Sequence, residues 1–92
     1  MIAVQGKTAL TEVSFVFSGD IRQESFRQFA QHRAERLALG IDFGAASERA
    51  FGVTVAGDEV LIDMFEMACS LGPYDCIIHD VTRRDITSPA TN

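Results

Sequence analysis

Between Glu12 and Val81 the apolar side chains of this sequence repeatedly change their spacing. Over 12–18 (EVSFVFS) they recur at every second position. Val13, Phe15 and Phe17 fall on one face, with Ser14, Val16 and Ser18 on the other, as in a half-buried strand. Over 25–39 (SFRQFAQHRAERLAL) the interval becomes three and four. Phe26, Phe29, Ala30, Ala34 and Leu37 then share one helical stripe, and Gln31, Arg33, Glu35 and Arg36 lie on the wetted side. Residues 41–49 (IDFGAASER) read as a short strand running into a polar turn. Residues 50–56 (AFGVTVA) alternate again through Phe51, Val53 and Val55, so the two segments form a hairpin. A second helical stripe over 59–71 (EVLIDMFEMACSL) comprises Val60, Leu61, Met64, Phe65, Ala68 and Leu71, and 75–81 (DCIIHDV) is a final strand.

Strand, helix, strand, strand, helix, strand is two β-α-β units joined by a hairpin, the split motif of the ferredoxin-like α+β sandwich. Right-handed crossovers put both helices on one face of a four-stranded antiparallel sheet in the order 4-1-3-2. The opposite face is left less covered. The punctuation agrees. Gly19-Asp20 turns the chain out of the first strand, and Ser25 with Gln28 has the spacing of a capping box. Gly40 ends the first helix. Asp58 caps the second helix, which stops at Gly72-Pro73. Gly52 marks a bulge or a close approach. The divisions are an arm or edge strand over 1–11, a domain over 12–82 and a fraying polar tail over 83–92.

Composition removes several classes of function. The 92 residues supply one core. Thirteen acidic residues against eight basic ones give a net charge of −5, which argues against a nucleic-acid partner. No apolar run approaches a membrane span, and no secretory leader is evident, so a cytoplasmic setting is expected. Cys69 and Cys76 have no companions that would build a metal site or a disulfide framework. No cofactor is implied.

One stretch carries a more specific signal. Gly19-Asp20-Ile21-Arg22-Gln23-Glu24-Ser25-Phe26-Arg27 resembles the acylphosphatase pattern of a glycine, a valine-glutamine-glycine-valine loop and a phenylalanine-arginine pair opening the first helix. Phe29, Ala34, Leu37, Leu39, Gly57, Phe65, Gly72-Pro73, Ile78 and Val81 continue the match without a gap over 12–82. The resemblance implies the acylphosphatase-like fold and hydrolysis of acyl phosphates without a metal. It assigns an anion cradle to the amides of Ile21, Arg22, Gln23, Glu24, Ser25 and Phe26, and a phosphate-gripping role to Arg27. Helix-start amides and a guanidinium are suited to those tasks.

The match also has gaps in its chemistry. Arg22 and Gln23 replace the family's glutamine and glycine, and Glu24 puts a carboxylate where the family has valine. Ala45 stands at the position of the asparagine that orients the attacking water, and alanine has no group to do so. Asp42 stands where the family usually has tryptophan. Arg27 therefore reads either as a phosphate ligand or as a surface arginine paired with Glu24. Ser47 and Thr54 are the substitutes that could be invoked for the asparagine. His32 reads as a surface helix residue, His79 as filling the open sheet face, and Cys76 as small apolar packing. The favoured expectation is an acylphosphatase-like domain with impaired catalysis, binding a phosphate-bearing or other anionic ligand or a protein partner. The rivals are an active acylphosphatase and a module that dimerises through the open sheet face.

Overall fold

Val13, Phe15 and Phe17 are wholly enclosed because their strand, β1 (Thr11–Asp20), is flanked on both sides within the sheet. In the computed structural model, which describes residues 11–86, β1 is followed by α1 (Gln23–Arg36), β2 (Gly40–Ala46), β3 (Ala50–Gly57), α2 (Glu59–Leu71) and β4 (Ile77–Asp85). The sheet order is β2-β3-β1-β4, antiparallel throughout. Residues 1–10 and 87–92, with most of the expected arm and tail, lie outside the described residues.

Register explains the core. Val13 faces Val55, Phe15 faces Val53 and Phe17 faces Phe51, so the apolar sides of β1 and β3 coincide. Phe26, Ala30 and Ala34 of α1 and Ile62, Phe65 and Cys69 of α2 close over that same side. Phe26 lies between two sheet rings, with centroids 5.3 Å from Phe17 and 5.0 Å from Phe51.

Three expectations change. First, α1 spans 23–36 rather than 25–39. Ala38 takes a left-handed conformation (φ 57°), and the N–H groups of Ala38 and Leu39 donate to the carbonyls of Glu35 and Ala34. That closes the helix as a Schellman motif, while Gly40 already belongs to β2. Second, the buried stripe of α2 is Ile62, Phe65 and Cys69, and Val60, Met64 and Leu71 are exposed. Apolar residues surround most of this helix, so spacing alone does not select the face that packs.

Third, β4 continues through Asp85. Val13 faces Asp85 and Phe15 faces Arg83, and the N–H of Ile86 donates to the Glu12 carbonyl at 3.0 Å. The boundary at 82 therefore falls short, because a polar edge strand gives little sequence signal beside an apolar partner. The close approach expected at Gly52 is present, opposite a bulge in β2. Gly44 and Ala45 together oppose Gly52, and a Cβ on Gly52 would meet the Ala45 carbonyl oxygen at 3.2 Å. A second irregularity, at Ser18/Gly19, leaves His79 without a partner in the register between Ile78 and Asp80. There Gly19 is needed for space, because a Cβ would collide with the Ile77 carbonyl oxygen.

Candidate functional site

Only Ile21 and Arg22 separate β1 from α1. The expected loop is mostly helix, and Gln23 is the first helical residue. The position has lost its glycine, and Gln23, Glu24 and Ser25 can all enter a first helical turn. Ala38 is the one described non-glycine residue with positive φ, so no left-handed turn forms at Gln23. Ser25 is not the cap. Arg22 occupies that position without a side-chain capping bond.

Several cradle amides are already engaged. The N–H of Gly19 donates to the Arg49 carbonyl and that of Ile21 to the Glu48 carbonyl, both at 2.9 Å. The Arg22 amide donates to Cys76 Sγ at 3.3 Å, and the Phe26 amide to the Arg22 carbonyl at 2.8 Å. The side chains of Ile21 and Phe26 belong to the core. What remains at the helix start is the set of Gln23, Glu24 and Ser25 amides, which an α-helix leaves without internal acceptors.

A carboxylate stands beside them. Ser25 Oγ donates to Asp75 Oδ1 at 2.8 Å, and the Cys76 thiol approaches the same oxygen at 3.8 Å. A negative group near the amino end of α1 is favoured by the helix dipole. The Cys76 thiol is shifted upward, chiefly by burial and against the lowering effect of the Arg22 amide, so it is held as a protonated packing group. The adjoining hollow, about 410 Å³, is lined by Asp20, Ile21, Arg22, Glu48, Arg49, Asp75 and Ile77. Three carboxylates there face two guanidiniums.

Arg27 lies elsewhere. Its guanidinium carbon sits 4.9 Å from the ring centroid of Phe43 on β2, a cation–π arrangement. It lines a separate shallow groove of about 290 Å³ with Gln28, Gln31, His32 and Glu35. The expected Glu24–Arg27 pair is absent, and Glu24 Oε2 instead accepts from Gln28 Nε2 at 3.2 Å. Ala45 is exposed in the β2 bulge. Neither suggested substitute is suitably free. Ser47 Oγ accepts from the amides of Arg49 and Ala50, each at 3.1 Å, in the hairpin turn. Thr54 faces Ser14, on the sheet side away from the core residues Val53 and Val55. Among the described residues no group of three His, Cys, Asp or Glu side chains could hold a metal ion, and no helix is long and apolar enough to cross a membrane.

Sequence reading missed Phe43 as the seat of Arg27, and Glu48, Arg49 and Asp75 as the surroundings of the helix start. No local pattern marks them. Ser25 and Asp75 are 50 residues apart and meet only through the sheet.

The path of sheet and helices matches solved structures closely. An acylphosphatase from Coxiella burnetii aligns with a TM-score of 0.82, covering 97% of this chain and 94% of that one at 19% identity. An acylphosphatase from Bacillus subtilis gives 0.77, covering 87% and 88% at 19% identity. The fold is acylphosphatase-like. Full-length HypF in a phosphate- and nucleotide-bound form contains a similar unit, with a TM-score of 0.77 and 18% identity over 92% of this chain and 11% of that one. No protein-family model matches the sequence, and no curated protein matches it. At such identities the likeness establishes the acylphosphatase-like fold alone.

Proposed function

We propose that this acylphosphatase-like domain does not hydrolyse acyl phosphates efficiently and acts by binding, either to an anion or to a protein partner. The observation that carries this reading is the separation of Arg27 from the hollow beside the α1 start. Acyl-phosphate hydrolysis needs the phosphoryl group gripped and a water aimed at phosphorus in one place. Here the guanidinium rests on Phe43, the hollow has an excess of carboxylate, and Ala45 cannot orient water. Loss of one such group commonly lowers a rate about 10²–10³-fold, and this site departs in more than one.

A second reading, an active acylphosphatase, draws support from the fold and from Arg27, which has no carboxylate within salt-bridge distance among the described residues. Hydrolysis of acetyl phosphate by the purified chain, beside an Arg27→Ala variant, separates the two. The expected result is turnover near background and unchanged by the substitution. Robust turnover that disappears in Arg27→Ala would establish the enzyme and overturn the proposal. Inorganic phosphate should shift the amide resonances of Gln23, Glu24 and Ser25 if the anion form of binding holds. Unmoved amides would leave the protein-partner form.

A further inference from the structure

The helix α2 is apolar on two opposite sides. At about 100° per residue, its core side carries Ile62, Phe65 and Cys69. The other side carries Val60, Met64, Met67 and Leu71, which are 66%, 50%, 70% and 80% exposed. Their spacing of four, three and four is that of a two-heptad helix-pairing seam. A solvated helix face needs no such row, and its members contribute little to a core they do not touch. A groove of about 410 Å³ lined by Asp63, Glu66, Met67, Ser70 and Leu71 runs beside the seam.

Charge narrows the occupant. All three charged side chains on α2 are acidic, Glu59, Asp63 and Glu66, and they fall on one flank of the seam. Arg83 reaches Asp63 and Glu66 at 2.8 Å each, and Asp85 lies 3.7 Å from the same guanidinium. Four carboxylates thus stand against one arginine. A second copy docking its α2 antiparallel against this one would bring two such groups together, and anionic lipid would be repelled likewise. We infer that the outer face of α2 docks an amphipathic helix of a partner protein, with its apolar stripe on Val60, Met64, Met67 and Leu71 and its lysine or arginine flank on Glu59, Asp63 and Glu66. This helix-in-groove mode rests on the binding half of the proposed function and uses none of the residues at the α1 start.

The test is titration of the isotope-labelled full chain with two synthetic helical peptides. They share a leucine stripe and differ in having lysine or glutamate flanks. The lysine peptide should bind with shifts concentrated on 59–71. Affinity should fall at least tenfold for the glutamate peptide and for a Met64→Ser/Met67→Ser double variant, while Glu59→Lys/Asp63→Lys should reverse the peptide preference. Equal affinity for both peptides, or shifts centred elsewhere, would overturn the inference. So would a concentration-dependent dimer abolished by the double variant, which would assign the seam to a second copy. Peptide binding that appears only after residues 1–10 are removed would assign it to the chain's own amino-terminal segment. Failure of binding here leaves the acetyl phosphate result untouched, so the two readings fail separately.

Discussion

Phe26 and Arg27 are neighbours with opposite environments, and the first turn of α1 is responsible. Phe26 is wholly enclosed between Phe17 and Phe51, whereas Arg27 is exposed over Phe43. Phe26→Ala should therefore lower stability by about 3–5 kcal/mol, measured by urea unfolding, and Arg27→Ala should leave the midpoint nearly unchanged. Cys69 makes a pH-dependent case. Burial pushes its thiol up to about 12, against a lowering influence from Arg33, while an ordinary thiol ionises near 9.0. Below that value both folded and unfolded chains keep the proton, and the thiol's contribution to stability is complete. Between about 9 and 12 the unfolded chain loses it first, so stability should fall as pH rises, by about 1 kcal/mol per unit. Cys69→Ala should be less stable at pH 7 but show a shallower decline above pH 9.

At the scale of elements, the ends of the helices and the tie between α2 and β4 are the sensitive points. Ala38 is strained in the left-handed closing turn of α1, where glycine has no Cβ to oppose the conformation. Ala38→Gly should raise stability by about 1 kcal/mol, read as a higher urea midpoint. Arg83 joins β4 to α2 through Asp63 and Glu66 and lies 5.6 Å over the Phe15 ring. It is partly exposed, so the network contributes modestly. Arg83→Ala should cost about 1 kcal/mol, with the difference shrinking in high salt as screening weakens the wild-type pairs.

At the scale of the molecule, one architecture supports two separable surfaces, the α1 start with its adjoining hollow and the outer face of α2. On the proposed reading, catalysis would require the first to be rebuilt in several places. Ala45→Asn alone should leave acetyl phosphate turnover near background, because Arg27 still lies on Phe43 and the cradle is still the first turn of a helix. A large gain from that single change would show that the missing asparagine was the sole defect.

The residues by themselves determined the order of elements and the sheet topology. Alternation in β1 and β3, the stripe of α1 and the turns at Gly57-Asp58 and Gly72-Pro73 each admit one local structure, and those structures combine in few ways. Asp58 as a cap follows from the same local chemistry, its carboxylate accepting from the Val60 amide at 2.8 Å. The sequence also exposed the altered motif at Arg22, Gln23, Glu24 and Ala45, since substitutions in a known pattern are visible without coordinates. Only the tertiary structure decided which side of α2 is buried, because a helix apolar on two opposite sides is oriented by the surface it meets. It alone seated Arg27 on Phe43 and Asp75 beside Ser25, and it drew Arg83 through Asp85 into the sheet. Those outcomes depend on contacts between residues far apart in the chain, and no local spacing encodes them.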